Sequence, residues 1–178
     1  MATNESEQHN SGFDELQQPK MSTGLNVLTI LTIIGSAIQL IFALFSFTSA
    51  KKSYEKLDET IAQMNNMTKG EDVPDFAKSL IGNPEDVRTL ITKGFENRFP
   101  ILVLSLAAVI LCIIGALQMR KLKKQGYTLY LIGELLPFVT SFAFIGMVAF
   151  SGFSMLFGVV ITLVFILLYT FMRKQLVY

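Results

Sequence analysis

The sequence predicts an all-α protein: a bundle of four transmembrane helices, with a small helical extracytoplasmic cap between spans one and two. Three observations predict it. The 178 residues are 51% apolar and only 16% charged, with a mean hydropathy of +0.48, which is too apolar for a soluble domain of this size. Four apolar runs are each long enough to cross a hydrocarbon core of roughly 30 Å as helix. Between the first two runs, apolar residues recur at helical spacing within a polar segment.

Residues 1–22 carry Glu5, Glu7, Asp14, Glu15 and Lys20 among Asn, Gln, Ser and Gly, with too little apolar surface to offset the entropy of ordering, so they are expected to form a disordered cytoplasmic tail. The first span is assigned to residues 23–47. Its uncharged run from Leu25 to Phe47 covers 23 residues, about 34 Å of helix at ~1.5 Å per residue. A cleaved signal peptide is the competing reading, but the acidic leader and the long run argue against it, and Thr48-Ser49-Ala50 is a poor cleavage site.

Residues 48–98 form the extracytoplasmic segment. Tyr54, Leu57, Ile61 and Met64 line one face of a helix that Gly70 can end. Pro74 to Ile81 is expected to make a short helix closed by Gly82. A further helix begins at Asn83, an N-cap residue followed by Pro84, Glu85 and Asp86, with Val87, Leu90, Ile91 and Phe95 as its apolar stripe. These stripes either pack on one another as a cap or leave a groove for a partner. Amphipathic stripes generally close on a core, which favours the cap.

The second span occupies residues 99–119, with Pro100 in its first turn, where a missing N–H leaves nothing unpaired. The third occupies 127–150 and the fourth 153–172, separated by a tight outer turn at 151–152. A basic loop, 120–126, and a short tail, 173–178, complete the chain. Arg120, Lys121, Lys123 and Lys124 form an unopposed cluster between spans two and three, and Arg173 and Lys174 follow span four, so both termini are expected in the cytoplasm. The outer segment holds eight basic residues, diluted over 51 residues and mixed with nine acids. The cluster also suits anionic head groups, although fixing orientation is the simpler role.

Composition excludes several functions. Fifteen Lys and Arg against fourteen Asp and Glu give a net charge of +1, without the basic excess that nucleic-acid binding needs. His9 in a polar tail and Cys112 in an apolar run supply no zinc set and no internal disulfide. Gly152-Phe153-Ser154-Met155-Leu156 begins like a nucleophile elbow but ends in Leu156, and the spans offer Ser154 no base. Asn4-Glu5-Ser6 and Asn66-Met67-Thr68 match the short glycosylation pattern, which arises often by chance. No enzymatic activity and no cofactor are therefore expected.

Membrane helices associate through small and weakly polar residues, and such seams run through Thr29, Thr32, Ser36, Gln39 and Ala43, through Ser105, Ala108, Cys112 and Gly115, and through Ser154, Gly158, Thr162 and Tyr169. They serve either packing within the bundle or a pore or dimer face. Besides the bilayer, the partners this allows are another protein or a second copy of the chain.

Glu134 is the one ionisable side chain within the spans other than tyrosine and cysteine, and an intramembrane carboxyl is a site candidate because it is costly to bury. It lies seven residues after Tyr127, roughly 10 Å along the helix. Thr32 and Cys112 are expected near its level, Tyr130 one turn away on the same face, and Tyr169 within reach. Pro137 frees the carbonyl of Gly133 and predicts a kink beside the carboxyl. In a structural role, Glu134 pairs with a snorkelling Lys124, Arg120 or Arg173, or donates a hydrogen bond within the bundle. In a functional role, it takes part in proton movement or binds a cationic solute.

Leu28 to Ser36 (LTILTIIGS), Gly115 to Tyr127 (GALQMRKLKKQGY) and Gly133 to Pro137 (GELLP) together resemble small four-helix membrane proteins of unassigned function in certain bacteria. The resemblance implies a bacterial inner-membrane location and the four-span layout, and attaches no activity to any residue. The large first outer loop also looks like that of claudins and tetraspanins, but it has neither Trp nor Cys. Together these readings describe a multi-pass membrane protein that is a structural or interaction component, with a small transporter or proton-coupled module centred on Glu134 as the alternative.

Overall fold

The computed structural model describes residues 21–68, 82–151 and 153–177, and among these every regular element is helical. The acidic tail, the short helix expected at Pro74 to Ile81 and the stop expected at Gly70 lie outside the described residues. Four helices are long and apolar enough to span a membrane, so the architecture is the all-α four-span bundle that hydropathy predicts. Large apolar side chains cover its outside, with Ile41, Phe42, Val103 and Phe171 each more than 60% exposed, as suits a lipid-facing surface.

Helix α1 (Thr23–Glu55) starts at Ser22, whose hydroxyl accepts from the Leu25 N–H at 3.3 Å. It runs eight residues beyond Phe47, about 12 Å at ~1.5 Å per residue, so the first span and the base of the cap are one rod. The chain then turns at Lys56, whose N–H bonds back to the Lys52 carbonyl at 3.1 Å. Helix α2 (Leu57–Thr68) follows. This turn divides the stripe expected on a single helix: Tyr54 belongs to α1 and stacks on Phe95 with ring centroids 4.6 Å apart, while Leu57 and Ile61 are buried on α2.

Helix α3 (Pro84–Glu96) has the cap expected of its sequence, with Asn83 Oδ1 accepting from the Glu85 N–H at 3.1 Å. Arg88 ties it to Asp58 of α2 at 3.0 Å. A turn at Asn97 leads into α4 (Arg98–Arg120), where Phe99 meets Phe47 of α1 edge to face at 5.2 Å.

Between α4 and α5 (Lys124–Phe144) only residues 121–123 turn, because helix resumes at Lys124 inside the segment expected as loop. Leu122 makes the turn possible: its φ of 56° is left-handed, and it buries its side chain against Leu176 and Tyr127 while the lysines beside it face out. The last residues clasp this turn. The Val177 N–H bonds to the Leu122 carbonyl at 3.0 Å, and Lys124 Nζ donates to the Val177 carbonyl at 3.1 Å.

The third apolar run does not stay helical to Phe150. Helix α5 ends at Phe144, and Gly146, at φ 92°, redirects the chain into a 3₁₀ turn (Met147–Phe150) before α6 (Phe153–Met172). The reason lies in α3: Lys93 Nζ donates to the Ile145 carbonyl at 3.1 Å and Asn97 Nδ2 to the Phe144 carbonyl at 3.4 Å, satisfying carbonyls that a helix end leaves open.

Packing within the bundle is uneven. Helices α4 and α5 touch backbone to backbone: a Cβ added at Gly126 would lie 2.6 Å from the Gly115 carbonyl oxygen, and one at Gly133 2.6 Å from Cys112 Sγ. Helix α1 packs along α4 as well, and its buried residues are Leu25, Leu28, Thr29, Thr32 and Ser36. Helix α6 is held much less tightly, with only 6% of its most apolar window buried. Its attachments lie in its C-terminal half, whereas a Cβ at Gly158 would meet nothing within 4 Å.

Candidate functional site

Where α6 leaves α1 and α5, a groove of about 180 Å³ opens, lined by Thr32, Ser36 and Gln39 of α1, Glu134 of α5, and Thr162 and Phe165 of α6. Glu134 is half-buried at its wall. Three positions along one face of α1, at spacings of four and three, thus present polar groups to a carboxyl across the gap.

Below the groove sits a layer of buried aromatic hydroxyls. Tyr169 on α6 shares a hydrogen bond of 2.7 Å with Thr32 on α1, and its ring lies 4.4 Å from that of Tyr130 on α5. Tyr130 is completely buried, and its hydroxyl completes no hydrogen bond; the Glu134 carboxyl lies close to it without bonding geometry, and shares the groove lining with Thr162. A second tie, Tyr127 to Thr170 at 2.8 Å, fixes the same end of α6 to α5.

The structure therefore gathers Glu134, Tyr130, Tyr169 and Thr32 at one level. Cys112 is at that level too, but it packs against Gly133 inside the α4–α5 contact and does not line the groove. The basic residues considered as partners of Glu134 are engaged elsewhere: Lys124 bonds to Val177, Arg173 lies 5.3 Å over the Tyr127 ring, and Arg120 is exposed at the end of α4. Among the described residues no cation pairs with Glu134, which corrects the expectation of a snorkelling partner. Helix α5 continues through Pro137, and the Thr140 hydroxyl donates to the Leu136 carbonyl at 2.8 Å one turn on. Arg120, Lys121, Lys123 and Lys124 stay together at the α4–α5 turn, at the end of the bundle that carries Ser22 and Gln175.

Thr162, Ser36 and Gln39 were legible only as members of small-residue seams; what gives them a shared role is the parting of α6 from α1, which spacing along one helix does not reveal. No family model matches the chain, and no curated protein or solved structure is similar to it.

Proposed function

We propose that this multi-pass membrane protein is a non-enzymatic interaction component that receives a partner transmembrane segment along the groove beside Glu134. One observation carries the reading: the groove gathers a carboxyl, an amide and the Ser36 and Thr162 hydroxyls between membrane-spanning helices, where polar groups are satisfied by protein and not by hydrocarbon. A helix bearing an ammonium, guanidinium or amide group at the level of Glu134 would complete these bonds. The basic cluster at Arg120 to Lys124 supports an orientation with both termini cytoplasmic, and the resemblance implies a bacterial inner membrane. A photo-crosslinking residue at Ile161, on the groove, tests the proposal in native membranes against the same residue at Phe142, which is exposed elsewhere. A discrete protein adduct from Ile161 alone is expected, with a second copy of this chain as one identity. Lipid adducts from both positions would overturn it.

The buried, unbonded Tyr130 hydroxyl beside Glu134 favours a second reading, a proton-coupled transporter or small proton-conducting module. In proteoliposomes, proton flux abolished by Glu134→Gln and slowed by Tyr130→Phe would put transport first. Flux equal to that of empty vesicles would leave docking first.

A further inference from the structure

At the other end of the bundle, α1, α3 and α4, with Ile145, line a larger open-sided cavity of about 470 Å³, within the size range of small-molecule sites. Its walls run on α1 from Ala43 to Ser53, ten residues and about 15 Å of helix, so it extends from inside the first span to the base of the cap. On α4 it reaches from Arg98 down to Ser105, seven residues or about 10 Å deeper. The cavity is thus a slot set across the boundary between hydrocarbon and water.

Its chemistry is divided along its length. Phe47, Ile101 and Leu102 supply apolar wall within the span, while Leu90 and Phe95 roof it from α3. The one charged residue in the lining is Arg98, half-buried. Its guanidinium carbon lies 4.5 Å from the centre of the Phe95 ring and 5.3 Å from that of Phe99, and among the described residues it has no carboxylate or carbonyl partner. An arginine that merely anchored the end of α4 would extend to bulk water or pair with a nearby acid. Here the Phe95 ring holds it at the slot, with the exposed Phe99 ring beside it and its donors uncommitted, at the depth where head-group phosphates and carboxylates lie. Lys93 lies nearby on α3 but donates to the Ile145 carbonyl.

We propose that this slot binds an anionic amphiphile, with its phosphate or carboxylate head on Arg98 and an acyl chain running toward Ala43 and Ser105. The ligand is a lipid, and the source of the anion is either a phospholipid or a free fatty acid. A guanidinium suits either head because its N–H groups form a planar fork that meets two oxygens at once.

Native mass spectrometry of the full chain tests this, after equilibration in detergent with equal amounts of phosphatidylglycerol, phosphatidylcholine and oleate. The wild type is expected to retain one anionic amphiphile at least tenfold over phosphatidylcholine, and which of the two it retains identifies the source. Arg98→Gln is expected to abolish the preference, and Arg98→Lys to keep part of it. Leu102→Trp, which fills the slot and spares the charge, should lose retention as well. Equal retention of all three lipids by the wild type, or a preference that survives both Arg98→Gln and Leu102→Trp, overturns the proposal. Circular dichroism shows which variants are folded, and if Arg98→Gln is not, Arg98→Lys and Leu102→Trp decide.

Discussion

The hydroxyls of Thr32 and Tyr169 meet at 2.7 Å, and this bond joins the two ends of the chain's helical order, α1 and α6. It is buried, and it closes the floor of the groove that carries Glu134. Thr32→Val should therefore loosen α6. Interhelical hydrogen bonds in membranes average about 0.6 kcal/mol and reach about 1.7 kcal/mol, and this one, fully buried, is expected in the upper half of that range. Tyr169→Phe should cost a similar amount, and the double variant little more than either, as measured by unfolding in mixed micelles.

The α4–α5 contact gives a larger effect. Gly126→Ala or Gly133→Ala forces a methyl to within 2.6 Å of the facing helix, so the helices must separate, at a cost of roughly 1–3 kcal/mol for overpacking. Gly158→Ala, with open space around it, should stay near the wild-type midpoint. A thermal unfolding series in one detergent checks the ordering, and equal losses at all three glycines would contradict it.

At the end of α5, Gly146 holds φ 92° and ψ −165°, a region essentially reserved for glycine, with its Cβ direction nearly free, so Gly146→Ala costs backbone strain and little else, about 1–3 kcal/mol. Lys93→Met removes the donor to the Ile145 carbonyl, and faster amide hydrogen exchange at residues 145–148 is its expected signature.

By contrast, the Arg88–Asp58 pair between α2 and α3 is well exposed despite its 3.0 Å separation. Breaking it with Asp58→Asn should change stability by less than about 1 kcal/mol and the loss should shrink further in salt.

Topology is checked with Lys123→Cys in a Cys112→Ser background. Position 123 is exposed at the α4–α5 turn and should react with a membrane-impermeant maleimide only after the cytoplasmic side is opened. Labelling from outside intact cells would invert the orientation.

Hydropathy alone located the four spans, because 23 uncharged residues from Leu25 to Phe47 leave few alternatives, and the Asn83-Pro84-Glu85-Asp86 run marked the start of α3 for local reasons of capping and charge. The helix end at Phe144 was not legible. The apolar run continues unchanged through Met147–Phe150, and the stop is set by Lys93 and Asn97, about fifty residues earlier in the chain. Leu122 was equally hidden among lysines, since its burial depends on the returning tail at Leu176. Glu134 stood out as a costly intramembrane carboxyl, and its depth anticipated Thr32, Tyr130 and Tyr169 nearby. The groove itself was not anticipated, because it arises from how α6 leans on α1 and α5.

The three-residue turn between α4 and α5 also has a kinetic consequence. Two helices joined so closely, with glycines already matched across the seam, make contacts of short sequence separation and pair early in assembly. The docking of α6 on α1 links residues as far apart as Thr32 and Tyr169, so it comes late and closes over a hairpin that has already formed. Pairing of α4 with α5, which carries Glu134, is accordingly expected before α6 brings Thr162 beside it.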